Sequence, residues 1–150
     1  MKIAHLADTH IRNYKYHSEY RAVFDQIYDR LKEEKVDYIV HCGVLSVFDE
    51  ENWVKPSDDA RINIALYHGS VSGVKTDTGW VMTHGDHPIE IFEGHDYVFL
   101  GDIHKTNQIL DGDGRVRYPG STVQQNFGET DDKGFLLWNI QNKEDFTCEH

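Results

Sequence analysis

Acidic and histidine side chains stand at or just after the ends of several apolar segments in this sequence. Asp8 and His10 follow KIAHLA, and Asp102 and His104 follow DYVFL, the members of each pair being two residues apart. His68 follows a third segment, RINIALY. Just past a strand, side chains two residues apart can point to the same side and converge on one ion. Carboxylate and imidazole ligands together suit manganese, iron or zinc better than calcium. We therefore predict that these five residues are metal ligands, although any one strand end taken alone is also typical of a turn.

The first pair of ligands is predicted to lie on a strand–helix–strand unit. Residues 2–7 and 36–42 are apolar enough to form two buried strands. Between them, from Ser18 as the predicted N-cap to Leu31, apolar residues recur three or four positions apart, as on one face of a helix. Such a unit gives a parallel pair with a right-handed crossover. In sheets of this kind ligands bind beyond the carboxyl ends of the strands.

The second half of the chain is predicted to form further strands and a hairpin. The turn DGDG separates the two arms of the hairpin. The predicted strands are 61–67, 96–100, 108–110, 115–118, 134–140 and 146–148. With no repeat or linker in the sequence, we expect an α/β fold in a single, incomplete domain over residues 1–150.

One predicted strand conflicts with its neighbour. Residues 44–48 (VLSVF) are typical of a strand, yet only Gly43 separates them from the preceding one. A parallel connection needs a dozen or more residues, and a hairpin prefers two to five. Either the two strands merge into one bent strand, or a connecting segment is missing from this chain.

The composition restricts the partners. Among 150 residues, 26 are acidic and 15 basic, for a formal net charge of −11. This argues against a protein that binds nucleic acid mainly by neutralising its phosphates. A nuclease remains compatible with that charge, since bound metal ions would then meet the phosphate. Two cysteines give no disulfide framework, no apolar stretch could span a bilayer, and the start does not resemble a signal peptide. We expect a cytoplasmic protein.

Five segments of the chain resemble the motifs of one enzyme family. LADTH, HCG, LYHGS and LGDIHK occur in this order and are similar to successive metal-site motifs of the calcineurin-like metallophosphoesterases. The fifth, RVRYPGSTVQQNFGETDDKGFLLWNI, combines a Tyr-Pro-Gly-Ser turn with Glu129 and a Lys-Gly pair. It resembles the SbcD-type subunit of DNA repair and recombination nucleases. The likeness covers nearly all of the chain.

The resemblance implies a metallophosphoesterase-like layered β-sheet with two divalent metals, most often manganese. Asp8 and His10 would hold one metal, and His68 and Asp102 the other, with His104 bridging back to the first. Asp102 stands where most members have a histidine. The two ions would lower the pKa of a shared water and stabilise charge on the phosphoryl oxygens. His68 and His104 would be the catalytic residues.

Two parts of the family's metal site have no counterpart here. Val44 stands where the family has an aspartate that bridges both metals, and a Gly-Asn-His motif occurs nowhere. An internal deletion after Gly43 would explain both departures and the conflict between the predicted strands. Asp49 is either a replacement ligand or, as we favour, a turn residue. The sequence therefore predicts an impaired site that binds a single metal.

A few other side chains are candidates for substrate contact. His84 lies in THGDH, and Lys105 and Arg117 belong to the basic grouping nearest the predicted site; a solvated loop or hairpin face is the alternative. Trp53 and Trp80 could stack on bases, but an anchoring role in the core or a loop is favoured.

The resemblance implies a metal-dependent phosphodiesterase that acts on DNA, an SbcD-like exonuclease or endonuclease of a bacterium or phage. Its partners would be DNA and an SbcC-type ATPase. The alternatives are an inactive remnant that serves as a binding or assembly module, and a small-molecule phosphoesterase. An opening in a sheet would also favour a homodimer through exposed strand edges.

Overall fold

The computed structural model describes residues 1–9, 17–43, 55–56 and 58–150. In these ranges the chain forms eight strands, one α-helix and a short 3₁₀ helix, Ile89–Phe92. The elements are β1 (Lys2–Ala7), α1 (His17–Glu34), β2 (Tyr38–Cys42), β3 (Ile64–His68), β4 (Tyr97–Gly101), β5 (Gln108–Ile109), β6 (Val116–Tyr118), β7 (Leu136–Ile140) and β8 (Phe146–Glu149).

The first sheet has the order β2-β1-β7-β8. β1 and β2 are parallel and joined through α1, so the predicted strand–helix–strand unit is present, and Ala7 pairs with Cys42 at its carboxyl end. β7 runs antiparallel to β1 on the other side, and β8 antiparallel to β7. The helix begins at His17, so Ser18 lies in its first turn, where its hydroxyl bonds to Glu19 instead of forming the predicted cap.

The second sheet has the order β3-β4-β6-β5. β3, β4 and β6 are mutually parallel, and the predicted hairpin is present as the antiparallel pair β5 and β6. His68 at the end of β3 pairs with Gly101 at the end of β4. The carboxyl ends of these strands therefore meet at one edge of the sheet.

Alternating side chains form a core between the two sheets and a second core under the helix. Ile3 of β1 faces the core between the sheets, where Phe99 of β4 stacks on Trp138 of β7 with ring centroids 4.9 Å apart. Leu6 of β1 faces the opposite way and packs against Leu31 of α1. The period of two in β1 thus fixes which face the helix covers.

One strand is less buried than predicted. The side chains of Tyr38 and Ile39 in β2 are 60% and 53% exposed, and only Cys42 at the end of the strand is fully buried. The prediction of a buried strand over 36–42 is therefore wrong for its first half. Among the described strands β2 lies at the end of its sheet, so the cores that cover the faces of the sheet reach it only in part.

Several predictions concern residues outside the described ranges. They include the strand over 44–48 with the junction at Gly43–Val44, and the roles of His10, Asp49 and Trp53. These stay predictions. Within the described ranges, no helix is both long and apolar enough to cross a membrane.

Candidate functional site

Asp8 is the first residue after β1, and its carboxylate links the two sheets. Its backbone φ is 50°, a left-handed conformation that aspartate tolerates better than most residues. The side chain is buried, and Oδ2 accepts the backbone N–H of Asp102 at 2.8 Å. Asp102 follows β4 in the second sheet. This hydrogen bond therefore holds the carboxyl ends of β1 and β4 together.

His68 ends β3 and lies between the two carboxylates. Its Nδ1 is 3.8 Å from Asp8 Oδ1, and its Nε2 is 3.7 Å from Asp102 Oδ1. Nδ1 also lies 3.2 Å from the carbonyl oxygen of Cys42. Because a carbonyl can only accept, Nδ1 carries the hydrogen and the lone pair of the neutral ring is on Nε2. The imidazole therefore presents its metal-binding atom to Asp102.

Gly101 is required where β4 passes the ends of β2 and β3. A Cβ at this position would collide with the carbonyl oxygen of Cys42 and come within 2.9 Å of His68 Nδ1. The next residue, Asp102, has a φ of 96°, and its side chain is 45% exposed. The close approach at Gly101 thus brings His68 and the partly exposed Asp102 carboxylate to the same strand end.

The donor set at these strand ends fits a divalent cation in chemistry more than in geometry. Two carboxylates and an imidazole are suitable ligands for manganese, iron or zinc. Two ligand atoms that are each about 2.0–2.2 Å from one ion lie about 3.0–3.5 Å from each other. The 3.7 Å between His68 Nε2 and Asp102 Oδ1 is slightly longer than this. Within the described ranges, no three His, Cys, Asp or Glu side chains converge closely enough to hold an ion. His10, the ligand predicted beside Asp8, is outside those ranges.

His104 lies two residues past Asp102 and is oriented from behind by a buried carboxylate. Its Nδ1 is 2.9 Å from Oε1 of Glu129. A carboxylate with a lowered pKa accepts this hydrogen bond, so Nδ1 carries the hydrogen and Nε2 the lone pair. The histidine side chain is 26% exposed, whereas that of Glu129 is 2% exposed. A buried acceptor behind a histidine fixes its ring orientation and its tautomer.

Glu129 is ionised although it is buried. Burial would raise its pKa, but the hydrogen bonds that it accepts and the charge of Lys133 outweigh burial, so the pKa is lowered. Lys133, whose side chain is 5% exposed, lies 3.2 Å from Oε2 and also donates to the backbone oxygen of His104. The remaining donors to the two carboxylate oxygens are Ser121 Oγ, the backbone N–H of Gln125 and Asn126 Nδ2.

The sequence did not identify Glu129 and Lys133 as site residues. They contributed to the resemblance as motif positions, with no role assigned to them. An acidic and a basic residue four positions apart, in the polar loop after the Tyr-Pro-Gly-Ser turn, are the pattern that could have indicated this pair. That signal is weak, because such pairs are usually exposed.

The Tyr-Pro-Gly-Ser segment begins at the last residue of β6 and, with Thr122 directly after it, contacts two of the strand ends of the site. Tyr118 is buried, and its hydroxyl donates to the backbone oxygen of Gly69 and accepts the N–H of Val71. Thr122 donates its hydroxyl to the backbone oxygen of Ala7 at 2.7 Å. The segment therefore holds the loop after β3 and the end of β1, as predicted for a structural turn beside the site.

A cleft of about 340 Å³ opens beside Asp102 and His104. Its walls come from the loop around Asp77 and from the turn before Glu129. The lining residues are Thr76, Asp77, Thr78, Asp102, Ile103, His104, Asn126, Gly128 and Glu129. Three of these residues, Asp77, Asp102 and Glu129, are acidic, which suits a ligand that arrives with cations or with uncharged groups.

The predicted substrate-binding residues occupy different places. Lys105 follows His104 and is partly exposed, and His84 is exposed in the segment that packs on the loop after β3. Arg117 lies on β6, where its Nε donates to the carbonyl of Gly114 and its guanidinium packs over the ring of Trp138. The structure does not bring Arg117 to the strand ends, because the core between the sheets holds its side chain.

Comparison with known proteins relates the chain to a metallophosphoesterase. No family model matches it. It is 37% identical over 87 residues to the "Uncharacterized metallophosphoesterase YhaO" of Bacillus subtilis strain 168, which is 57% of this chain and 21% of that protein. It is also 37% identical over 117 residues to the "Uncharacterized protein R555" of Acanthamoeba polyphaga mimivirus, which is 71% of this chain and 9% of that protein. The chain thus spans about a fifth and about a tenth of the lengths of these relatives.

Proposed function

We propose that the chain carries the strand-end part of a metal-dependent phosphodiesterase site that acts on DNA, as an exonuclease or endonuclease of the SbcD type. The observation that carries the proposal is the meeting of three strand ends: Asp8 and Asp102 lie within 4 Å of opposite nitrogens of His68. This arrangement occurs in a chain with sequence similarity to a metallophosphoesterase. The carboxyl ends of parallel strands are the usual place for a ligand site in such a sheet.

Of the two metal positions that the resemblance implies, His68 Nε2 and Asp102 are proposed to hold the divalent ion of one, and Asp8 and His10 are the proposed ligands of the other. Manganese is the proposed ion, and a single ion is proposed because Val44 replaces the bridging ligand of the family. When bound, a divalent ion supplies Lewis acidity toward a phosphoryl group and a nucleophile at neutral pH. Asp8 also joins β1 to β4 through its hydrogen bond to the backbone of Asp102. It is therefore both a proposed metal ligand and a residue that positions Asp102.

His104 is proposed to act at the edge of the cleft through Nε2. With Nδ1 occupied by Glu129, Nε2 is the atom that would accept a proton, and once protonated it could donate to a phosphoryl oxygen. Glu129 is a positioning residue in this scheme, and Lys133 offsets the charge that the buried carboxylate would otherwise leave. Lys105 and His84 are proposed as weaker substrate contacts, and Arg117 contacts substrate only if its guanidinium leaves the ring of Trp138.

The choice of DNA as substrate rests on the resemblance of the Tyr-Pro-Gly-Ser segment and of the stretch after it to the SbcD type. An SbcC-type ATPase as a partner, a homodimer and a cytoplasmic setting in a bacterial or phage-infected cell belong to the same proposal. In the part of the chain that the structure describes, β2 is the edge strand of its sheet, which supports the homodimer because such an edge can pair with another chain.

An inactive module for binding or assembly is the second candidate. It is favoured by one observation: no three metal-capable side chains converge in the part of the chain that the structure describes. Under this proposal the strand-end residues are inherited, and the chain binds a partner without hydrolysing a phosphodiester.

Hydrolysis in the presence of manganese separates the candidates. The substrates are an end-labelled DNA strand and bis(p-nitrophenyl) phosphate, and the variants are Asp102→Asn and the control Asp113→Asn. Asparagine accepts the left-handed backbone of residue 102, and Asp113 lies in the exposed hairpin turn. We expect manganese-dependent cleavage of DNA that Asp102→Asn lowers at least tenfold and that Asp113→Asn leaves unchanged. Cleavage of the small ester alone would indicate a small-molecule phosphoesterase, and no cleavage of either would leave the binding module.

A further inference from the structure

Two exposed aromatic side chains lie close in sequence to residues that line the cleft beside His104. The side chain of Phe127 is fully exposed, at 108%, and that of Trp80 is 59% exposed. Phe127 lies between Asn126 and Gly128, which both line the cleft. Trp80 lies two residues after Thr78, which lines the cleft on its other side. Single exposed aromatic residues are ordinary, but here each lies within two residues of a side chain that lines the cleft next to the candidate site.

The turn that carries Phe127 is held rigidly from within. Asn126 Oδ1 accepts the N–H of Gly128 at 2.9 Å, and the backbone oxygen of Asn126 accepts the N–H of Glu129 at 3.2 Å. These bonds close a tight turn with Phe127 at its tip. The backbone of the turn therefore does not have to be ordered when a ligand arrives, which reduces the cost of binding.

The loop that carries Trp80 is closed in a similar way. The backbone oxygen of Trp80 accepts the N–H of Thr76 at 2.9 Å, and the N–H of Gly79 donates to the oxygen of Thr76. Gly79 has a φ of 82°, a conformation that glycine adopts without strain. Trp80 is thus fixed at the closing position of a short loop while its ring stays exposed.

Both loops are connected to the buried pair of Glu129 and Lys133. On one side, Asn126 Nδ2 donates to Glu129 Oε1 at 2.8 Å. On the other, Asp77 Oδ1 lies 3.9 Å from Lys133 Nζ, which is 3.2 Å from Glu129. Glu129 Oε1 is also the acceptor for His104 Nδ1. The positions of both aromatic loops are therefore set relative to the ring of His104.

We propose that Trp80 and Phe127 form a stacking site for unpaired nucleobases of the strand whose phosphate reaches His104. The inference rests on the proposed function, because it takes the ligand to be a nucleic-acid strand. The cleft is acidic, with Asp77 and Asp102 in its walls, and the nearby Lys133 is buried and paired with Glu129. Stacking on an aromatic ring needs no positive charge on the protein and tolerates any base sequence.

The same argument indicates an unpaired strand. In a duplex the faces of the bases are covered by their neighbours, and affinity comes from contacts with the phosphates. A chain with a net charge of −11 is poorly suited to such contacts. Unstacked bases offer their faces directly, so frayed ends and single strands are the forms that the two rings can bind.

Binding of a short fluorescein-labelled oligothymidylate to the full 150-residue chain tests the inference without catalysis. Fluorescence anisotropy would be measured in EDTA and again with Ca²⁺, for the wild type and for Phe127→Ala and Trp80→Ala. We expect each substitution to weaken binding about five- to 150-fold, the range of one base–aromatic stack. Phe127→Trp should retain the affinity. Tyr28→Ala, which removes a half-exposed aromatic side chain of α1, is the matched control and should leave it unchanged.

Quenching of tryptophan fluorescence gives a second readout. A base stacked on Trp80 should quench its emission, and this part of the quenching should be lost in Trp80→Phe. Equal affinities for the wild type, Phe127→Ala and Trp80→Ala, or no detectable binding of the oligonucleotide, would overturn the inference. If the aromatic residues bind the strand but manganese-dependent cleavage is absent, the stacking site stands and the phosphodiesterase proposal fails. If Asp102→Asn lowers cleavage but neither Phe127→Ala nor Trp80→Ala weakens binding, the phosphodiesterase proposal stands and the stacking site fails.

Discussion

At the scale of single residues, both candidate catalytic histidines are oriented by an acceptor behind the ring. Cys42 provides a backbone carbonyl for Nδ1 of His68, and Glu129 provides a carboxylate for Nδ1 of His104. Each arrangement leaves the lone pair on Nε2. The carboxylate is the more demanding support, because it is buried and needs Lys133 to offset its charge.

The Glu129–Lys133 pair predicts a specific pattern of stability. Glu129→Ala should lower the free energy of unfolding by about 3–5 kcal/mol, because it leaves the buried Lys133 with only the more distant Asp77, 3.9 Å away, as a counter-charge. The double variant Glu129→Ala/Lys133→Met should recover a substantial part of that loss. Urea denaturation of the wild type and both variants measures the difference. A double variant no more stable than Glu129→Ala would contradict the role assigned to the pair.

His5 predicts how stability depends on pH. Its side chain is fully buried and stacked on Phe99, and Nε2 donates to the backbone oxygen of Leu100. Burial lowers its pKa to about 3, despite that hydrogen bond and with a further contribution from His41. The unfolded chain takes up the proton near pH 6.5, whereas the folded chain does so only near pH 3.

Between these two values the unfolded state binds one more proton, so stability falls as the pH falls, by about 1.4 kcal/mol per pH unit from this residue. His5→Gln keeps a donor for Leu100 but does not titrate. The stability gap between the wild type and His5→Gln should therefore shrink as the pH is lowered from 7 to 4. Chemical denaturation across that range tests this, and parallel curves would show that His5 is not held neutral.

At the scale of elements, the site depends on how closely β4 passes the ends of β2 and β3. Gly101 of β4 lies against the carbonyl oxygen of Cys42 and the ring of His68. Any side chain there must push the strand ends apart. The hydrogen bond from Thr122 to the backbone oxygen of Ala7 holds β1 in the same arrangement.

Gly101→Ala should therefore both destabilise the fold and disturb the site. The added methyl group meets backbone and a ring already in place, so we expect a loss of about 1–3 kcal/mol or more. Gly112→Ala is the control, because nothing lies within 4 Å of a Cβ at that position in the hairpin turn; it should change stability by about 0.5 kcal/mol or less. Thermal denaturation of both variants gives the comparison. Equal effects would mean that the close approach at Gly101 is unimportant.

The sequence predicted the elements better than their assembly. The period of two in β1 and the spacing of apolar residues before Leu31 were sufficient for the strand–helix–strand unit, because both are local patterns. Which strands become neighbours depends on contacts distant in sequence, and nothing near residues 36–42 signals that β2 has β1 as its sole described partner. The same holds for Arg117, predicted at the site from its charge but held by Trp138, a residue of the other sheet.

At the scale of the whole molecule, the two sheets bring the ends of β1, β3 and β4 to one place. Asp8 is 94 residues from Asp102 in sequence, yet the two are joined by a hydrogen bond. The sequence predicted the members of this group from the residue types at strand ends. It could not predict their distances, which depend on the packing of Phe99 against Trp138 between the sheets.

The binding of manganese, measured by titration calorimetry, tests the central claim most directly. The chain should bind one Mn²⁺ per molecule through His68 and Asp102. Asp102→Asn should abolish or strongly weaken that binding, while Asp113→Asn should retain it. No binding by the wild-type chain, or binding that Asp102→Asn leaves unchanged, would contradict a metal site at the strand ends.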